Sequence, residues 1–242
     1  MSRVLYLAHR WISLLALLQL AAWTVTGTFF AIVPFARVRG ESVARAHERN
    51  IPDPEVVSLK TVMATLSSRG IAPTSIELRA TPDGVFYLIR SGEGRGRLDA
   101  RTGGDSPVER PEAEAIARRD QPGAPAVRDT ALVTDDPGIE YRDRPLPAWR
   151  VALGDAAGTV VYVDAITGDV AARRNDLWRT YDFLWSLHIM DYRARERFDH
   201  PLLAVFGLLG VATVLSGAAL WIVRALRAAR RRGRGIPSVE SS

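Results

Sequence analysis

Residues 11–36 read WISLLALLQLAAWTVTGTFFAIVPFA and residues 201–223 read PLLAVFGLLGVATVLSGAALWIV, two runs of 26 and 23 residues without a charged side chain. A helix rises 1.5 Å per residue and needs about 20 apolar residues to cross the hydrocarbon core of a bilayer. Both runs are long enough, so the sequence predicts transmembrane helices at about 11–35 and 200–223. The first run is longer than the apolar core of a cleaved signal peptide, and no small-x-small site precedes the polar segment after it, which favours an anchor over a leader.

Charge then sorts the two sides of the bilayer. The net charge is +5 from 32 Lys+Arg and 27 Asp+Glu. Residues 1–10 carry Arg3 and Arg10, residues 36–200 carry 24 basic and 26 acidic side chains, and the tail from Arg224 carries six Arg against Glu240. Short Arg-rich flanks stay in the cytoplasm. The expected topology is therefore two spans in a bacterial inner membrane, with both termini (1–10 and 224–242) cytoplasmic and residues 36–175 a periplasmic domain. The tail also suits anionic head groups of the lipid bilayer. The long middle is slightly acidic and has no basic stripe interleaved with aromatics, so a nucleic-acid partner is not expected. With no Cys in the chain, disulfides, thiol nucleophiles, iron–sulfur clusters, thiolate zinc sites and covalently attached haem are excluded.

The outer segment reads as α+β, with a helix followed by antiparallel strands occurring twice, at about 53–105 and 110–172. DPEVVSLKTVMATLSSRG predicts an amphipathic helix begun by Asp53 and Pro54 and stopped by Gly70, with strands in SIELRA, VFYLIR and RGRLDARTGG. ERPEAEAIARRD predicts a second helix, with strands in VRDTALVTD, AWRVALG and GTVVYVDAITGDV. Leu98 to Gly103 and Val163 to Gly168 share the frame apolar-Asp-Ala-x-Thr-Gly, 65 residues apart. A duplicated unit explains this economically. Asp in such a frame accepts turn amide hydrogens and Gly supplies a positive φ, so Asp99 and Asp164 read as turn residues rather than catalytic ones. Gly92 to Gly96 reads as a hairpin turn, and no G-x-S-x-G elbow, H-E-x-x-H helix or phosphate-binding Gly loop occurs.

The run AWRVALGDAAGTVVYVDAITGDV resembles the closing hairpin of a PepSY domain. HRWISLLALLQLAAWTVTGTFFAIVPFARVRGE, LWRTYDFLWSLHIMDY and HPLLAVFGLLGVATVLSGAALWI resemble the PepSY-associated transmembrane region. The resemblance covers about residues 5–224, and it implies a PepSY-like α+β domain carried on two transmembrane helices.

With no thiolate available, the remaining soft or redox-capable ligands are the four histidines and three Met. His9 shares a helical face with Ser13, Ala16, Leu20, Trp23 and Gly27, and His200 with Leu203, Gly207, Gly210, Val214 and Gly217. Such small-residue faces suit either plain helix packing or packing against a flat porphyrin. Residues 176–199 read as an interfacial amphipathic helix and connector, with Trp178, Tyr181, Trp185 and Tyr192 at the interface. His188 lies on its Leu177, Tyr181, Leu184 stripe and needs a partner: a hydrogen bond to Asp191 or Asp199, or a metal or haem iron. In a continuous helix His188 and His200 would lie about 18 Å apart, so a shared iron requires a bend, for which Asp199-His200-Pro201 is the candidate. The other route is a homodimer that pairs equivalent histidines. His47 reads as a solvated surface residue, and Tyr192 and Asp191 are candidates for proton shuttling.

Larger members of the PepSY transmembrane family look like inner-membrane reductases of iron–siderophore complexes with non-covalent b-type haems held by pairs of histidines. Carried over, this implies haem b on His9, His188 and, less directly, His200, with no metal beyond the haem iron. The chain departs from that pattern in having two spans and fewer histidines. No nicotinamide or flavin fold is visible, so the electron donor would be a quinone or a flavoprotein. Against this oxidoreductase reading stand a non-enzymatic, membrane-anchored module that binds a protein partner and a structural subunit of a metal-uptake complex.

Overall fold

The computed structural model describes residues 2–41 and 55–233. In chain order the elements are α1 (Ser2–Ile32), α2 (Phe35–Val38), α3 (Leu59–Ser68), β1 (Pro73–Thr81), β2 (Gly84–Ser91), β3 (Gly94–Asp99), α4 (Arg110–Asp120), β4 (Val127–Val133), β5 (Ala148–Leu153), β6 (Val160–Asp164), β7 (Val170–Arg174), α5 (Asp176–Ile189) and α6 (Pro201–Gly233). The chain divides into two units, Met1–Val33 with Tyr181–Ser242, and Pro34–Thr180.

The first unit is helical. Its two long helices contain apolar stretches Tyr6–Ile32 and Pro201–Arg230, each long and apolar enough to cross a membrane. α1 ends at Ile32, just before Pro34, because a proline restricts the residue before it to extended backbone and cannot donate to the helix ladder. α1 and α6 run antiparallel through small residues: a Cβ added at Gly210 would lie 3.8 Å from Leu20 Cδ2, and one at Gly217 would lie 3.3 Å from His9 Cε1. Large apolar side chains such as Leu18, Leu208 and Trp221 point away from this seam and are exposed.

The second unit is α+β, with two antiparallel sheets ordered β1-β2-β3 and β4-β5-β6-β7. Strand β2 shows why the first sheet is a middle layer. Val85, Tyr87 and Ile89 pack with Val62 and Leu66 of α3 in one apolar cluster, while Phe86 and Leu88, on the opposite face by the two-residue period, are also buried. The second sheet is likewise covered on both faces. Val151, Val161 and Val163 pack on Ala113, Ile116 and Ala117 of α4. Val160 and Tyr162 pack on Tyr141, whose ring stacks on that of Tyr162 with centroids 4.6 Å apart.

α3 corrects the sequence reading at its start. Asp53 and Pro54 lie outside the described residues, as does His47, and the helix begins at Leu59 with Ser58 as its cap, the Thr61 amide donating to Ser58 Oγ at 3.2 Å. Residues 55–58 are not helical because β-branched Val56 and Val57 are drawn into the apolar cluster and the Val57 amide donates to Ala100 O at 2.8 Å. At the other end the chain leaves the helix through Gly70 at φ +74, where an L side chain would be strained.

The two Asp-x-x-Thr-Gly turns are built alike, bond for bond. Asp99 Oδ1 accepts from the Arg101 and Thr102 amides, and Asp164 Oδ1 from those of Ile166 and Thr167, all at 2.8–2.9 Å. Thr102 and Thr167 each accept a further amide at 3.2 Å, and Gly103 and Gly168 have φ +73 and +77. Gly92 and Glu93 form the two-residue turn between paired Ser91 and Gly94.

Candidate functional site

The α1 stripe of Ser13, Ala16, Leu20, Trp23 and Gly27 is a packing face. His9, on that stripe, turns its ring onto α6 and places Nδ1 2.6 Å from Ser216 Oγ, with Ser13 Oγ more distant, 3.4 Å from Nδ1 and 3.5 Å from Nε2. At the other end of α1, His188 of α5 lies against Gly27, whose added Cβ would sit 3.8 Å from His188 Cε1. Its Nδ1 is 2.7 Å from Thr26 Oγ1, and Trp23 Nε1 donates to the His188 carbonyl at 2.7 Å. The imidazole sits among flat groups: Phe30 meets it edge-on at 5.4 Å and Trp185 lies nearly parallel at 6.4 Å between centroids. Burial pushes the His188 pKa below its ordinary value, so near neutral pH the ring is uncharged. Among the described residues its Nε2 has no hydrogen-bond partner.

The expected hydrogen bond from His188 to Asp191 or Asp199 is not made. Asp191 is occupied otherwise: Oδ1 accepts from the Arg193 and Ala194 amides and Oδ2 from those of Glu196 and Arg197, at 3.1–3.2 Å. Burial acts to raise its pKa, yet these four amide hydrogens outweigh that and pull it down to about 2. A carboxyl held ionised in this way organises the connector and is unsuited to shuttling protons. Asp199 pairs with Arg197 at 2.9 Å, and Tyr192 is exposed.

The bend between His188 and His200 exists, ten residues earlier than expected. α5 stops at Ile189, and Met190 turns the chain at φ +59. The connector is then held by the Asp191 amide cage and by an ion pair of Arg195 with buried Asp182. His200 starts α6, its Nδ1 accepting from the Leu202 amide at 3.3 Å, which commits one ring nitrogen to the helix end. His9 and the His188 contact at Thr26 are 17 residues apart on α1, about 25 Å along the axis, so one iron cannot take both.

No group of three or more His, Cys, Asp or Glu side chains that could hold a metal ion occurs among the described residues. A single imidazole nitrogen is a weak cage for an ion but suffices as an axial ligand, because a porphyrin brings four nitrogens of its own. Gly27 and Gly217 make room for the two imidazoles themselves, and flat aromatic rings surround His188. Sequence reasoning missed Thr26 and Ser216; hydroxyls within an otherwise apolar run, one residue from the glycines of the packing faces, were the available signal.

In the second unit, four ion pairs among the described residues join the two helix-plus-sheet lobes. These are Arg79 with Asp169 at 2.7 Å, Arg95 with Asp164, Arg119 with Asp83, and Arg97 with Glu112 through two bonds of 2.8 and 2.7 Å. The Arg97 side chain is only 1% exposed, and its guanidinium lies 4.0 Å from the Phe86 ring centroid. Beside these pairs is a cleft of about 480 Å³ lined by Arg79, Thr81, Asp83, Glu112 and Asp169, among others. No protein-family model matches the chain, and comparisons with curated proteins and with solved structures also find no match.

Proposed function

We propose that this chain is a PepSY-type protein of a bacterial inner membrane that holds non-covalent haem b and passes electrons outward to an iron–siderophore or another metal acceptor. The observation that carries the reading is that His188 engages Thr26 of α1 through Nδ1 at 2.7 Å and, among the described residues, has no hydrogen-bond partner at Nε2, the nitrogen that would hold the iron. Bound haem would supply a one-electron iron couple. The chain's own residues would orient two such groups, one near each end of α1, and the aromatic shell of His188 would keep water from the outer one.

Each site would take one ligand from within the chain. An equivalent histidine from a homodimer partner would supply the second, since His200 accepts the Leu202 amide at Nδ1 and so has its N–H at Nε2. The Arg-rich ends support a topology with both termini in the cytoplasm and residues 36–175 in the periplasm, in which α5 would lie at the interface and a quinone or flavoprotein would be the donor. The matching turns at Asp99 and Asp164 support duplication of one PepSY-like helix-plus-sheet unit.

The test is an optical spectrum of protein purified in detergent after expression with haem supplied. A Soret band that shifts on reduction and is lost in His188→Ala supports the reading; a colourless preparation refutes it. The charged cleft between the lobes favours a second reading, a binding module whose partner occupies that cleft, and crosslinking from Thr81 should then capture the partner.

A further inference from the structure

We infer that Thr26 and Ser216 are positioning residues that fix the tautomer of His188 and His9, so that each imidazole presents an unprotonated Nε2. The ligand role of those nitrogens rests on the haem reading above; the tautomer does not. The argument is a count of hydrogens. Thr26 is 2% exposed, and its hydroxyl oxygen lies 2.7 Å from Ala22 O and 2.7 Å from His188 Nδ1. A carbonyl oxygen only accepts, so two oxygens at 2.7 Å require a hydrogen between them, and the hydroxyl has only one. Thr26 therefore donates to Ala22 O and accepts from His188 Nδ1–H.

The neutral ring carries one N–H, which leaves the Nε2 lone pair free. Ser216 repeats the arrangement on the other helix: Oγ lies 2.6 Å from Ala212 O and 2.6 Å from His9 Nδ1. Two histidines on different helices, each facing a hydroxyl whose proton its own helix has taken, thus both donate from Nδ1. A ligating histidine whose other N–H is hydrogen-bonded is held in orientation and made more basic, and loss of such a partner typically weakens metal retention by 10- to 100-fold.

Thr26→Val keeps the shape and removes the acceptor, while Thr26→Ser restores it; Ser216→Ala and Ser216→Thr form the corresponding pair. In detergent-solubilised full-length protein with 15N-labelled histidine, long-range 1H–15N spectra report the tautomer without any haem. The Val and Ala variants should lose the pure Nδ1–H signature and the conservative variants keep it. In haem-loaded protein the same two variants should retain haem about ten-fold less tightly and show a raised midpoint potential, with rescue by Ser and Thr. An Nε2–H tautomer in the unaltered protein, or one unmoved by Thr26→Val and Ser216→Ala, overturns the inference. A correct tautomer in a protein that binds no haem overturns only the haem reading.

Discussion

Arg97 is the strut between the two lobes, and replacing it should cost more than any other single change at the seam. Its guanidinium makes two charge-assisted bonds to Glu112 and a third, through Nε, to Ser106 O, with the Phe86 ring against its face. Removing one partner of a buried pair costs about 3–5 kcal/mol, because the other charge is left without compensation. Glu112 is 19% exposed and keeps part of its hydration, which places Arg97→Met near the low end, about 3 kcal/mol. For a chain of this size 1 kcal/mol moves the melting midpoint by about 2–4 °C, so the variant should melt about 9 °C lower. Arg97→Met with Glu112→Leu removes both charges and leaves apolar groups beside Phe86 and Ile116; its stability should return to within about 1 kcal/mol of the parent. Circular dichroism melts of the full chain in detergent, run as a double-mutant cycle, measure the difference. A single variant that melts within about 2 °C of the parent, or a double variant no better than the single, would show that the seam is held by something other than this pair.

Two further predictions concern the helical unit. The Asp191 carboxyl is held near 2, below its ordinary 3.8, so its contribution to stability is present above about pH 4 and fades as pH falls through 2. Asp191→Asn should remove that acid dependence and, at pH 7, speed hydrogen exchange of the amides of residues 193–197 by at least about ten-fold; unchanged exchange would mean that the connector holds itself. Gly217→Leu drives a side chain into His9, whereas Gly207 has nothing within 4 Å of an added Cβ. The first should destabilise the α1–α6 pair by about 1–3 kcal/mol and Gly207→Leu should be nearly silent in a thermal melt; equal effects would contradict the packing face.

The elements whose period or chemistry is local were legible in the sequence. Two uncharged runs became two long apolar helices, and the Asp-x-x-Thr-Gly frame became two matched turns because Asp, Thr and Gly satisfy that turn within six residues. The start of α3 was not legible, since Asp53-Pro54 is a good local start signal and only the pull of Val56 and Val57 into a core built by distant strands moves it to Ser58. The lobe seam was hidden for the same reason. In RGRLD, Arg97 alternates with apolar residues as a solvent-facing strand residue does, and its burial depends on Glu112, 15 residues away on another element.

The candidate site divides along the same line, and the division has a physical cause. Histidines stand out in any sequence because few residue types can ligate iron, so His9, His188 and His200 were candidates from the sequence alone. What a histidine can do depends on which nitrogen carries its proton, and that is decided by an atom on another helix. His188 illustrates this. Asp191, three residues away, is the obvious partner by spacing, but four amides of its own loop saturate that carboxylate, while Thr26, 162 residues away, takes the contact. The hydroxyl's signal in sequence is slight, its place beside Gly27 in an apolar run, because Thr inside an apolar helix ordinarily bonds back to its own i−4 carbonyl. Thr26 does so as well, and that bond, by using up its only hydrogen, turns its oxygen into an acceptor for the ring.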